Sequence, residues 1–305
     1  MTAAAPAIGS GVNYRQGVAL VLIAGACWSF MGLGVRLMEA ATAWQILFYR
    51  SLSLGVFLVL VLAIRGRGRP IQVMRRAGLS SLLGALALVL AFCGSIFAIR
   101  NTTVANAMFL FATAPFMAAG LGLLILKESV RRATWITMGV GGLGVALMVA
   151  DGISLGHFLG NAAAVLSAFG FALFTIALRW QHKEDMLPAV CLAGFFTAAV
   201  AGVMCLATGQ GLAVSNHDTL LALALGIGQL GLGMTLFTYG SKAVPAAELA
   251  LLAMSEVVLG PLWVWLALGE TAGLWTLAGG AVLMAAIAGN ALSGLRRKPP
   301  PLGAV

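Results

Sequence analysis

Long gaps between charged residues set the outer limits on how this chain can fold. Twenty uncharged residues separate Arg15 from Arg36, 23 separate Arg76 from Arg100, and 26 separate Arg100 from Lys127. Further gaps run from Asp151 to Arg179, Asp185 to Asp218, Asp218 to Lys242 and Glu270 to Arg296. A helix needs about 20 mainly apolar residues to cross the hydrocarbon of a bilayer, so each gap is long enough to span. Only 9% of the residues are charged and 61% are hydrophobic, against roughly 25% charged in a soluble domain. A surface of this kind calls for lipid as its solvent. Inside lipid every backbone group must be paired internally, which leaves helices or closed barrels. Barrel strands alternate polar and apolar residues. The runs here are continuous and rich in Ala, Leu, Val and Gly, so the chain reads as an all-α polytopic membrane protein.

Ten transmembrane helices are expected, over 16–38, 43–64, 78–99, 103–126, 133–150, 156–178, 187–208, 219–240, 245–268 and 272–294. Charge and turn clusters separate them, among them 65–70 (RGRGRP), 127–132 (KESVRR) and 151–156 (DGISLG). The segment before Arg15 is small and polar rather than an apolar leader, so no cleavage is expected. The proline-rich tail after Leu295 reads as loose. Cys27, Cys93, Cys191 and Cys205 all fall inside spans and read as free packing thiols. The net charge of +9 sits in the short loops. With a cytoplasmic N-terminus, fifteen Lys and Arg residues face the cytoplasm and only Arg36 and Arg100 face outward. That bias places both termini inside a bacterial inner membrane and explains the charge better than nucleic-acid binding does.

The chain also carries a weak internal repeat. An offset of 142 pairs Glu128 with Glu270, Leu124 with Leu266, Ser129 with Thr271 and Thr113 with Ser255. An offset of 143 pairs Gly17 with Gly160, Trp28 with Phe171 and Arg36 with Arg179. Two five-helix halves follow, 1–151 and 152–305. Five is odd, so the second half enters the membrane from the opposite face, and the two form inverted repeats, a design shared by several secondary transporter families.

Ten spans, two five-helix halves and an L-x-L-x-E-[ST] ending to spans 4 and 9 resemble the drug/metabolite transporter superfamily, EamA type, over about Arg15 to Leu295. Within it the sequence is most similar to bacterial aromatic amino acid exporters. Such proteins often carry Glu-Pro midway along span 9; here Val257 follows Glu256, and Pro115 holds the matching place in the first half. A proline-type helix irregularity is therefore expected in one half only. In the resembled family spans 1, 3, 4, 6 and 8 line the cavity. On them lie Trp28, Phe92, Phe97, Phe109, Phe169, Phe174 and Tyr239, which either stack on an apolar substrate or pack between helices.

Other intramembrane residues need explaining. Glu256, near the middle of span 9, is costly in hydrocarbon; it binds a substrate amine or a proton, or serves as a structural hydrogen-bond centre. Glu248, nearer the cytoplasmic end, is expected to snorkel. Arg50 either meets a substrate carboxylate or, the favoured reading, snorkels or pairs structurally. Ser95, Asn106 and Gln229 can line a cavity or bridge helices. Trp135, Trp263, Trp265 and Trp275 read as interfacial anchors. Glu128 and Ser129, like Glu270 and Thr271, are expected to cap the helices that follow. Gly139, Gly141, Gly142 and Gly144 match a dinucleotide fingerprint but lie inside span 5, where small residues serve close helix packing. His157, His182 and His217 are scattered, and no metal cluster, nucleophile–base set or phosphate loop is visible.

The expectation is a secondary transporter, not an enzyme, without a cofactor. It exports aromatic and other apolar amino acids by alternating access, as a uniporter. Glu256, Trp28, Phe92, Ser95, Asn106, Phe109, Phe169, Gln229 and Tyr239 contact the substrate. Its partners are that substrate and the bilayer, in a monomer or weak homodimer. A proton-coupled drug or metabolite exporter and a passive channel are the alternatives.

Overall fold

A computed structural model of the protein describes residues 12–65, 78–102, 104–149, 158–180, 186–269 and 273–295. Among the described residues every regular element is a helix. The elements are α1 (Tyr14–Arg36), α2 (Ala43–Arg65), α3 (Gly78–Asn101), α4 (Val104–Phe111), α5 (Ala114–Ile125), α6 (Arg132–Val149), α7 (Phe158–Trp180) and α8 (Leu187–Ala207). There follow α9 (Asn216–Ala224), a π-helical segment (Leu225–Leu232), α10 (Gly233–Gly240), α11 (Ala246–Ala253), α12 (Ser255–Leu268) and α13 (Leu274–Leu295). Among the described residues eight helical stretches are long and apolar enough to cross a bilayer, and Phe109–Ile125 forms a shorter apolar one. The expected spans and the helices agree to within a few residues at each end, because loss of hydrophobicity and the charge clusters mark where each helix leaves the apolar phase.

Two expected spans are broken. Span 4 is interrupted at Ala112 and Thr113, ahead of Pro115 at the start of α5. Span 9 is interrupted at Met254, between α11 and α12. The expectation of an irregularity in one half only is thus corrected: Ala112 and Met254 lie 142 residues apart, the offset that aligns Glu128 with Glu270. Proline explains the first break, since its ring and missing N–H oppose a continuous helix. At the second, Val257 N–H donates to Met254 O at 3.0 Å, a tightened turn without proline.

The helices interleave. α1 lies against α10, the π-segment and α11–α12, while α7 lies against α3 and α4–α5. α2 packs on α8, α6 on α13 and α5 on α11. The heaviest contacts therefore join the first half of the chain to the second. Small residues make the approach possible: a Cβ on Gly144 would lie 2.8 Å from Gly279 O and Leu283 N, which brings α6 and α13 nearly backbone to backbone. Gly141 also faces α13, whereas Gly139 has open space. The small-residue reading of this stretch holds for the face that packs. Gly152 and Gly156 lie outside the described residues; Gly160 presses on the backbone of Asn101 and Thr102.

Polar contacts divide the bundle into two ends. Tyr14, Glu128, Arg131, Arg179, Ser241, Glu248 and Asn290 meet at one, here the basic end. At the far end Gln45 donates to the carbonyls of Gly211 and Ala213, and Tyr49 to Leu212 O at 2.7 Å. There the Asp218 carboxylate, in the first turn of α9, accepts the backbone N–H groups of Glu39, Ala40 and Ala41 at 3.0, 2.9 and 2.9 Å. This clamp fixes the α1–α2 loop. Asp218→Ala should speed amide exchange at those three residues by about tenfold, read by hydrogen-exchange mass spectrometry. Unchanged exchange would mean that the loop is held by other contacts.

Candidate functional site

The interior of the bundle holds two ionisable groups of opposite sign. Arg50 on α2 is buried, 6% exposed, so it does not snorkel as expected. Its Nη1 lies 3.1 Å from Met31 Sδ, and its guanidinium sits 6.0 Å from the centre of the Phe92 ring. Its Nε is buried without a hydrogen-bond partner. Glu256, in the first turn of α12, is half-buried just past the break at Met254. Acidic groups are favoured there by the unpaired N–H groups and dipole of a helix start. Arg50 and Glu256 act on each other electrostatically, yet among the described residues no ion pair within 4.0 Å joins them. Each charge is left available to something else.

Phe92 stands against Arg50, and the π-segment, which packs on α1 and α2, brings Gln229 to Trp28. Trp28 on α1 is core, 5% exposed. Its ring lies 5.1 Å from Phe237 and 6.0 Å, edge to face, from Phe171. Trp28 and Phe171 are the residues paired by the 143 offset, and they meet between α1 and α7. Gln229 lies in the π-segment, and its Nε2 donates to Trp28 O at 3.1 Å. Gln229 Oε1 and Trp28 Nε1 are buried without partners. π-Helical turns are rare and concentrate at functional sites. Unpaired polar atoms in an apolar interior cost about 1–3 kcal/mol each, so a cluster of them marks a place that water or a ligand completes. Nearby, Trp263 Nε1 donates to Ser29 Oγ at 2.7 Å, and its ring stacks on Phe30 at 4.9 Å. Trp263 is a packing residue here rather than an interfacial anchor. Trp135, Trp265 and Trp275 are exposed, as such anchors would be.

The other expected site residues are dispersed. Ser95 Oγ donates to Phe92 O within α3, which satisfies it locally. Phe109 and Phe169 are each 37% exposed on the flanks of the bundle. Phe97 is likewise on the outside, and Phe174 is fully buried against Phe237. The Tyr239 ring lies under Lys242, 5.4 Å from its Nζ, near the basic end. The Asn106 side chain falls outside the described residues, as do His157, His182, Glu270 and Thr271. Sequence reasoning missed Met31, Phe171 and Phe237, which are indistinguishable from ordinary apolar residues in a chain this hydrophobic.

A second polar cluster lies at the basic end. Glu248 does not snorkel: it is 2% exposed. Its carboxylate accepts from Arg131 Nη2 at 2.9 Å, Arg131 Nε at 3.1 Å and Tyr14 Oη at 2.7 Å. Arg131 also donates to Asn290 Oδ1 and Ser293 Oγ, both at 3.3 Å. Glu128 does not cap a helix, since α6 begins at Arg132. It accepts instead from Arg179 Nη2 at 2.6 Å and Nε at 3.1 Å. The four cysteines are free thiols.

Comparison with known proteins agrees with a transport architecture. The model of the EamA-like transporter family matches twice, over residues 15–150 and 158–292. An uncharacterized transporter of Helicobacter pylori is 26% identical over 267 residues, covering 84% of this chain and 87% of that protein. The pseudopaline exporter CntI of Pseudomonas aeruginosa is 26% identical over 280 residues, covering 89% and 94%. An uncharacterized transporter of Archaeoglobus fulgidus is 28% identical over 276 residues, covering 90% and 95%. A solved crystal structure superposes with a TM-score of 0.79 at 20% identity over 92% of this chain and 99% of the other, which shows a shared fold. None of these relatives is named as an aromatic amino acid exporter. Their names are those of transporters, not enzymes, and with both halves matched the chain belongs to the EamA-like transporter family, as a multi-pass membrane transporter.

Proposed function

We propose that the protein exports amino acids, or small zwitterions derived from them, by alternating access around the Arg50–Glu256 centre. One observation carries this reading: two opposite charges, Arg50 buried and Glu256 half-buried, act on each other but form no ion pair within 4.0 Å. Such a pair is expensive, because each ion gives up water without full compensation from the other. A zwitterion resolves the imbalance, with its carboxylate on Arg50 and its ammonium on Glu256. Phe92, Met31 and Trp28 then supply apolar surface for the side chain. Ten spans arranged as inverted repeats, 1–151 and 152–305, fit this mechanism. The two family matches, the breaks 142 residues apart and the paired packing of α1 with α10–α12 and α7 with α3–α5 support that arrangement. The basic end is then cytoplasmic, following the positive-inside bias, and the membrane is the bacterial inner membrane. The chain works as a monomer or weak dimer, and uniport requires no further ionisable group at depth.

Counterflow of radiolabelled phenylalanine in proteoliposomes tests this. Glu256→Gln and Arg50→Ala should each lower exchange at least tenfold, the effect of losing one charge-assisted hydrogen bond worth about 1.5–3 kcal/mol. Wild-type rates in both variants would remove the charge pair from the site, and absence of trans-acceleration would point to a channel. The match to a pseudopaline exporter favours a second reading, export of a larger metabolite. Efflux of that compound without phenylalanine exchange would select it.

A further inference from the structure

The connection between α5 and α6, residues 126–131, holds Lys127, Glu128 and Arg131; the last two, of opposite charge and three residues apart, each reach into the second half of the chain. Glu128 takes two N–H groups of Arg179 on α7, whose third nitrogen donates to Ser241 O at 3.3 Å. Arg131 takes Glu248 on α11. The connection turns sharply just before Glu128: Lys127 has φ +54°, a left-handed conformation that side chains other than glycine adopt at a cost. Leu126 and Glu128 N–H both donate to Gly122 O at 3.1 Å, which pins the turn to the end of α5. Beneath it lies a small cleft of about 20 Å³, walled by Ala118, Gly122, Thr134 and Pro245–Ala247 and roofed by Glu128, Ser129, Val130 and Arg131. Glu128 and Arg179 are 26% and 12% exposed at their side chains, and Arg131 and Glu248 24% and 2%, so each pair has one wetter member and Glu248 is the deepest of the four.

We propose that connection 126–131 is the gate of the basic end: it closes the cleft by pairing Glu128 with Arg179 and Arg131 with Glu248, and opens it when those pairs part. The inference rests on the transport reading for its purpose but not for its test. Both pairs join the first half to the second, so any movement of the halves that widens this end must break them. The chemistry suits a reversible closure. Each pair has one member wet enough to exchange with water, and the Arg131–Glu248 pair can fall back on Tyr14, Asn290 and Ser293, which already contact its two members. The far end is built differently, with a carboxylate holding a loop backbone, so the two ends need not respond to the same perturbation.

The test is a single reporter cysteine, Ala118→Cys, in a chain whose four native cysteines are replaced by alanine. Ala118 is fully buried on the cleft wall, so a membrane-impermeant maleimide should label it slowly. Adding the neutralising pair Glu128→Gln with Arg179→Gln should raise the labelling rate about tenfold, and the charge swap Glu128→Arg with Arg179→Glu should bring it back down. In the reporter chain with its native ion pairs, raising salt from about 0.05 to 1 M, which shortens the screening length from above 10 Å to about 3 Å, should also accelerate labelling several-fold. Equal rates across variants and salt would overturn the gate. Labelling needs no substrate, so faster labelling with failed phenylalanine counterflow would keep the gate and reject the substrate, while normal counterflow with unchanged labelling would do the reverse.

Discussion

Arg131→Met should lower the thermal unfolding midpoint of the detergent-solubilised protein by on the order of 5–10 °C. The substitution keeps an apolar stem but leaves Glu248, 2% exposed, charged and without its main partner. Breaking a buried pair from one side costs about 3–5 kcal/mol, and for a chain of this size each kcal/mol moves the midpoint by roughly 2 °C. Tyr14 still donates to Glu248 Oε2, which holds the loss toward the lower figure. The double variant Arg131→Met with Glu248→Gln removes the stranded charge as well as the pair, so it should recover most of the loss. Differential scanning fluorimetry of the four proteins gives the coupling directly. If the single and double variants melt together, the ion pair contributes little and the junction of α1, α6, α11 and α13 is held by packing alone.

The second large effect is expected at a glycine. Gly226 lies in the first turn of the π-segment against α2, and a Cβ there would collide with Arg50 O and Ser53 Oγ and lie 3.0 Å from the Arg50 carbonyl carbon. Two of the three contacts are backbone, which cannot rotate away. Gly226→Ala should therefore cost about 1–3 kcal/mol through overpacking. It should also displace Arg50 and reduce transport at the proposed site. Gly228, two residues on in the same π-segment, has nothing within 4 Å of its would-be Cβ. Gly228→Ala should be neutral or slightly stabilising, because alanine loses less backbone entropy than glycine. Equal melting of the two variants would show that α2 and the π-segment are not in close contact. The comparison separates packing from flexibility, since both sites sit in one irregular helix.

The central site was legible in part. Glu256 and Arg50 stood out because an ionisable group is conspicuous in a chain with so few. Their mutual influence was not visible, since 205 residues lie between them and nothing local links α2 to α12. Gln229 was found by its polarity, but the π-helical turn that presents it was not, because three nearby glycines read as ordinary small residues. Phe109 and Phe169 were expected at the site on the strength of the span they occupy. They lie on the flanks because a helix has a circumference, and in lipid both its faces are apolar. In water, hydrophobic periodicity tells the buried side from the exposed side; here that signal is nearly flat.

By itself, then, the sequence determined where the chain enters and leaves the apolar phase, since hydrocarbon admits no unpaired backbone and few charges. It also determined which loops carry the positive charge, and that the two halves correspond. Only the tertiary structure decided which face of each helix is inside, that Glu248 and Glu128 are buried or paired across the halves instead of solvated or capping, and that span 9 breaks without a proline. Those outcomes depend on which neighbour lies within a few ångströms. Helix-to-helix approach is set by side-chain volume and glycine position on two segments at once, information that neither segment holds alone.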